Sequence, residues 1–340
     1  MTHRVLVTGA NGYVGRALSR RLCSQLADGV IQSLTLVDQH SADDDGLCES
    51  LPANLRDQLH QVIGDLRDPD TLAHALAQRP DRVFHLAGIT SRQAEDDFAL
   101  GLAVNVDAAM ALFEQLREQQ LCPVLVFASS CGVYGPPMPS VIDDATVPAP
   151  RLSYGSQKLM VEILLSDYSR RGWLDARSVR LPSVVARPAP RNAAASSFAS
   201  DLLRETALGR RYVCPVGPDA SLWLLSLPIC VTQLLHAAGL PAQALPQTRA
   251  WNLPALQVTA DEVVRAMAQR LGCDPNNLVH YQPQPAMQAM QAQFAQWPPL
   301  STRNAQAMGF THDGTLAQLL DNALAPSTPF ATFPSTSPAH

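Results

Sequence analysis

The sequence predicts an α/β fold, a doubly wound parallel sheet followed by a smaller C-terminal substrate-binding lobe. Three observations lead there. Short β-branched runs alternate with helical apolar patterns through residues 1–180, and a glycine-rich turn closes the first of those runs. Beyond that point, prolines at 182, 188, 190, 215, 218 and 228 break the chain into short elements. With 340 residues, a second lobe beside the first core is expected. The boundaries read as 1–180 for the sheet domain and 181–325 for a lobe interleaved with the sheet. The Pro-, Ser- and Thr-rich segment 326–340 is expected to be a disordered tail.

Taken in order, Val5 to Val7 form the first strand, and Ala17, Leu18, Arg21 and Leu22 mark the helix that follows the glycine turn. Leu34 to Val37 form a second strand closing on Asp38, and Gln61 to Ile63 a third before Gly64 and Asp65. Asp68 and Pro69 have the signature of an N-cap and a first-turn proline, opening a helix through Leu72 and Leu76. Val83 to Leu86 and Val124 to Ala128 supply the fourth and fifth strands. The helix between them is expected to turn Val104, Met110, Phe113 and Leu116 inward. A parallel sheet of this kind takes ligands at the carboxyl ends of its strands.

The formal charge of −5, without a basic run, argues against nucleic acid or an anionic membrane as partner and for a small molecule. Seven cysteines without CxxC spacing fit reduced thiols, and no metal site is expected. With no signal-like h-region and no apolar stretch of membrane-spanning length read from the sequence, a cytoplasmic location is expected.

The turn TGANGYVG places Gly9, Gly12 and Gly15 at the end of the first strand. There the backbone can turn tightly and approach a pyrophosphate above a helix N-terminus, although three glycines could equally make a plain turn. Its position at the first βα junction favours a dinucleotide in a Rossmann-type domain. Asp38 ends the second strand, where a carboxylate accepts hydrogen bonds from ribose hydroxyls and repels a 2′-phosphate; NAD is therefore expected over NADP. Asp65 would reach the adenine edge, or else belong to a simple Gly-Asp turn.

The stretch LSYGSQK holds the only lysine of the chain, against 24 arginines. On a helix, Tyr154 and Lys158 share a face at i and i+4, and an ammonium there would lower the phenol pKa and make tyrosine a base. Ser129 and Ser130 follow the fifth strand, where a hydroxyl can orient a substrate oxygen or merely cap the strand. His85, inside a strand, reads as a buried and satisfied histidine.

TGANGYVG, GDL, HLAG, SSCGVYG and YGSQK occur in an order and spacing that resemble the extended short-chain dehydrogenase/reductase superfamily over residues 1 to about 325. That resemblance implies Ser130, Tyr154 and Lys158 as catalytic residues. It implies cofactor contacts at Gly9, Asn11, Gly12, Tyr13, Val14, Gly15, Asp38, Asp65, Leu66, Leu86, Ala87, Asn105, Ser129, Tyr154, Lys158 and Pro182. The stretches SRQAEDDFALGLAVNVDA, SVRLPSVVARPAPRNAAASSFASDLLRE, YVCPV and LWLLS resemble a branch that oxidises the C2 hydroxyl of a four-carbon sugar acid with NAD. HLAGITSRQAE and LLSLP depart from that branch and leave the exact acid open.

Substrate contacts are expected from Ser130, Tyr154, Asn192, Ser196 and Ser197, with Arg187 or Arg191 for the carboxylate. Trp223 could wall the pocket or sit in the core. A nucleotide-sugar epimerase holding NAD tightly is the rival reading. A dehydratase is disfavoured by Cys131 and Gly132 after the catalytic hydroxyl, and a non-catalytic NAD sensor by retention of Tyr154 and Lys158. Apolar residues on more than one face of helices 103–119 and 156–170 fit a homodimer, or equally a buried intramolecular packing.

Overall fold

The computed structural model describes residues 2–40, 51–188, 197–283 and 295–325. Strand β1 (His3–Thr8) is flanked on both edges by parallel neighbours, β2 (Ile31–Asp38) and β4 (Arg82–His85). A strand so enclosed is buried on both faces, which explains its unbroken apolar run. Beyond β2 lies β3 (Leu59–Ile63); beyond β4 lie β5 (Val124–Ser130), β6 (Asp175–Leu181) and β10 (Ala250–Asn252). The resulting seven-stranded order, β10-β6-β5-β4-β1-β2-β3, is parallel throughout. It reverses direction between β1 and β4, the crevice where Rossmann-type sheets hold their ligands.

Alternation along the strands sends Val5 and Val7 to one face and Leu6 to the other. The first face packs on α1 (Tyr13–Ala27) and α8 (Leu227–Gly239). The second packs on α2 (Pro69–Leu76), α5 (Ala108–Glu118) and α6 (Ser153–Arg170). Asp68 caps α2 as the sequence predicts, accepting the amides of Asp70 and Thr71. Two short helices, α3 (Ser91–Asp96) and α4 (Phe98–Leu102), precede a π-helical turn at Ala103–Asp107 that leads into α5.

Two expectations fail in this region. Met110 is 42 % exposed rather than inward, because the buried stripe of α5 runs through Ala109, Leu112, Phe113 and Leu116, and Val104 is only half-buried. The helical run Phe98–Glu118 also proves long and apolar enough to cross a bilayer by length and composition alone. Asp107 and Glu114 interrupt its apolar residues, so no continuous stretch signals this in the sequence. Its inner side forms part of the core.

At Pro182 the chain leaves the main sheet, at a residue with no amide to donate. It enters a three-stranded sheet of β7 (Ser183–Val185), β9 (Ser221–Ser226) and β11 (Leu256–Thr259). That sheet packs with α7 (Phe198–Ala207) and α9 (Ala260–Leu271) around a second core; β8 (Tyr212–Cys214) and β12 (Val279–Tyr281) pair beside it. A capping box from Thr259 and Glu262 starts α9, and Gly272 ends it at φ +65°. Because β10 returns to the main sheet and α8 covers it, the second half of the chain is threaded through the first.

Candidate active site

A cleft follows the carboxyl ends of β1, β2, β4 and β5, as the sheet order dictates. The glycine turn forms its floor. Gly9 has φ +70°, and a Cβ there would lie 2.6 Å from the Ala87 amide nitrogen, so the turn closes against the loop after β4 only with glycine. One part of the cleft, about 480 Å³, is lined by Gly9, Asn11, Gly12, Tyr13, Val14 and Gly15 on one side and Ser129, Ser130, Tyr154, Lys158 and Pro182 on the other. The adjoining part, about 330 Å³, is lined by Asp38, Asp65, Leu66, Leu86 and Ala87.

At that far end the Asp38 carboxylate is held by the Asn11 amide at 2.9 Å and the His40 amide at 3.4 Å. Asp65 accepts Arg67 and, at 3.0 Å, the Gln39 side chain. The Arg67 hydrogen bond holds the Asp65 carboxyl below its ordinary value. Asn105 does not line the cleft. It is buried behind it, accepting the Ile89 amide at 2.9 Å and donating to Gln157 at 2.7 Å, so it braces the loop after β4.

Ser130 ends β5 and accepts the Gly132 amide at 3.0 Å. Helix α6 starts directly on that turn: a Cβ on Gly155 would lie 2.1 Å from the Gly132 carbonyl. This contact brings Tyr154 beside Ser130. Ser129 points the other way, and its hydroxyl donates to buried Glu162, so what it offers the cleft is backbone. Lys158 is 3 % exposed, with Nζ 4.6 Å from the Phe127 ring centroid and 5.7 Å from that of Tyr154. Among the described residues it has no hydrogen-bond acceptor or ion-pair partner.

Burial pushes the Lys158 ammonium down to about 8, against the opposing pull of the Glu162 carboxylate. Tyr154 departs from expectation. Burial raises its phenol, and the groups that lower it are Arg187 and the Ser130 hydroxyl rather than Lys158. His85 donates to or accepts from Thr8 Oγ1 at 2.7 Å, and burial, then the Lys158 charge, hold it down to about 3. It is the neutral, satisfied histidine that its strand position predicts.

A third cavity, of about 70 Å³, opens on the far side of Tyr154 and Ser130, enclosed by Thr90, Leu181, Arg187, Trp223 and Trp297 among others. The two indoles stack with centroids 4.4 Å apart, and Trp223 donates to the Pro298 carbonyl at 3.0 Å. Trp223 is thus both core and wall. Arg187 borders this cavity and the cofactor-side cleft alike, donates to the Val184 carbonyl at 3.3 Å, and meets no carboxylate partner among the described residues. Ser197 precedes α7, bonds Asp201 at 3.2 Å, and lines the larger cleft together with Ser130, Tyr154 and Arg187. Asn192, Ser196 and Arg191 lie outside the described residues.

Gly88, Ile89 and Thr90, within the divergent HLAGITSRQAE stretch, line these cavities, as does Trp297, to which the sequence assigns no role. The position of HLAGIT at the end of a strand was a usable signal for the first three; nothing marks Trp297.

The large cleft fits a dinucleotide on grounds internal to the structure. Its glycine turn leaves no room for side chains. The Tyr13 hydroxyl and Asn11 Oδ1, both buried, have no hydrogen-bond partner among the described residues. Comparisons with known proteins agree. Residues 5–221 match the NAD dependent epimerase/dehydratase family. The chain is 39 % identical over 324 residues to the D-erythronate dehydrogenase of Cupriavidus necator, covering 93 % of this chain and 96 % of that one. It is 34 % identical over 269 residues to the D-erythronate dehydrogenase of Haemophilus influenzae, covering 79 % and 82 %. A solved nucleoside-diphosphate-sugar epimerase from Agrobacterium tumefaciens superposes with a TM-score of 0.85 at 32 % identity, over 94 % of this chain and 93 % of that one. With a family match over more than half its length and a relative this similar along nearly all of it, the chain belongs to the NAD-dependent epimerase/dehydratase family, the extended short-chain dehydrogenases/reductases, and is an oxidoreductase that works with a nicotinamide cofactor.

Proposed function

We propose that the protein oxidises the C2 hydroxyl of a small sugar acid, D-erythronate to 2-dehydro-D-erythronate, using NAD. The observation that carries this reading is the cavity of about 70 Å³ beside Tyr154 and Ser130, bordered by the Arg187 guanidinium, which meets no carboxylate among the described residues. So confined a space beside Tyr154 favours a compact anion over a nucleotide sugar. The two relatives named D-erythronate dehydrogenase support the same choice.

In this reading Arg187 receives the substrate carboxylate as a charge-assisted fork, and the stacked indoles exclude water from the opposite wall. Ser130 and Tyr154 hydrogen-bond the C2 oxygen. Tyr154, as phenolate between the cations Lys158 and Arg187, takes the hydroxyl proton. Asp38 accepts the adenosine ribose hydroxyls, and Lys158 holds the nicotinamide ribose. Bound in the cleft, the nicotinamide supplies the hydride acceptor.

We also infer a homodimer. The outer faces of α5 and α6 expose Met110, Met160 and Ile163 around an apolar depression, a continuous surface that a second copy would cover.

NADH absorbance on mixing protein, NAD and a panel of four- to six-carbon sugar acids tests the activity. Turnover confined to D-erythronate or a close stereoisomer is expected. Silence across the panel, with NAD retained on the protein, would overturn the proposal in favour of a nucleotide-sugar epimerase.

A further inference from the structure

Tyr154, Lys158 and Glu162 form one column along α6 at i, i+4 and i+8. The proton transfer described above uses the first two. Glu162 lies one turn deeper and is 3 % exposed, a position where a carboxylate survives only with strong partners. It has them. Arg180 reaches it as a fork, Nε to Oε1 at 3.0 Å and NH2 to Oε2 at 2.7 Å, and Ser129 donates to it as well. Arg180 also donates to the Tyr134 hydroxyl at 2.7 Å, which Asn252 meets at 3.0 Å. One buried carboxylate therefore ties α6 to β5, β6 and β10 directly behind Ser130, Tyr154 and Lys158.

Its charge bears on Lys158 most. The ammonium is buried without a bonded anion among the described residues, which favours the neutral amine, and the Phe127 face 4.6 Å away offsets this only in part. Beside it are neutral His85 from β4 and Tyr154 on its own helix, with Arg180 from β6 bonded to Glu162; Tyr13 from α1, Arg187 after β7 and Asp201 from α7, the last paired with Arg204, line the same cleft. Of the two carboxylates, Glu162 is the one on the helix of Lys158, a single turn away.

We propose that Glu162 is a positioning residue for the reaction: its buried carboxylate keeps Lys158 protonated and, through Ser129 and Arg180, fixes the strand end that presents Ser130. The inference rests on Tyr154 and Lys158 being the proton-transfer pair, and the test separates the two ideas.

Because Lys158 is the only lysine, carbon-13 labelling of lysine at the ε carbon gives one resonance whose pH titration needs no assignment. Glu162→Gln should lower its midpoint by about one to two pH units, the effect of removing a charge one helical turn away. Arg180→Met should raise it, and the double variant Glu162→Gln/Arg180→Met should fall between. The alkaline limb of kcat against pH should follow the same order, with Glu162→Asp close to the parent. Should Glu162→Gln fail to fold, the neutralised double variant and Arg180→Met still give the sign. Equal midpoints in parent and Glu162→Gln, or shifts of Glu162→Gln and Arg180→Met in the same direction, would overturn the proposal. A parent that titrates as expected yet oxidises no acid would instead overturn the functional reading.

Discussion

Replacing Lys158 with methionine should make the ligand-free protein more stable while abolishing turnover. In the folded chain the ammonium titrates near 8 instead of 10.5, with the favourable pull of Glu162 already included. At about 1.4 kcal/mol per pH unit, holding the charged lysine in its apolar seat costs about 3 kcal/mol at neutral pH. Between about 8 and 10.5 the unfolded chain still carries a proton that the folded one has released. Unfolding there takes up a proton, so stability rises with pH through that window; below it the penalty is fully present. Methionine fills the same stem volume with no charge to desolvate. Urea unfolding of parent and Lys158→Met, followed by circular dichroism at a series of pH values, measures this directly. The parent should gain stability from pH 8 upward and the variant should not, the gap at neutral pH being a few kcal/mol. A variant no more stable than the parent at pH 7, with the same pH dependence, would show that the lysine is not destabilised by its surroundings and would refute the reasoning.

Lys158→Arg should fold normally and lose most turnover, since a planar guanidinium cannot occupy the slot between Phe127 and the loop at Gly88; near-parent kcat would contradict this. Asp38→Ser should weaken NAD binding and improve NADP, moving the ratio of their kcat/KM values by about tenfold or more as the carboxylate's repulsion of a 2′-phosphate disappears. An unchanged ratio would place the adenosine ribose elsewhere. Ile163→Glu, on the exposed face of α6, should yield a monomer by light scattering with the fold intact, and a dimer that survives it would put the interface on another surface.

Much of the fold was legible because strands of a parallel sheet are short continuous apolar runs, and Val5–Val7, Leu34–Val37 and Val83–Leu86 stand out as such. The sixth and seventh strands did not: Asp175–Leu181 is interrupted by Asp175, Arg177 and Arg180, and Ala250–Asn252 is only three residues long and gains its place from β6 rather than from its own pattern. Met110 was assigned inward because an apolar residue was counted as core, whereas here it belongs to an exposed stripe shared with α6. At the candidate site, the glycine turn, Asp38 and the Tyr-Lys pair, which line adjoining parts of one cleft, were readable from spacing. Residues defined by long-range approach were not: Trp297 meets Trp223 from a distant segment, and Glu162 resembles any helical surface acid until Arg180 arrives from β6.

The burial of the one lysine also makes the candidate site its own reporter of opening. A lysine-specific protease has a single bond to cut in this chain, between Lys158 and Leu159, in the middle of α6. With that side chain enclosed, cleavage requires the helix to detach from the sheet, so its rate tracks the population of molecules in which α6 has come loose. Two fragments of known size would then measure how firmly any cofactor or acid holds the site shut.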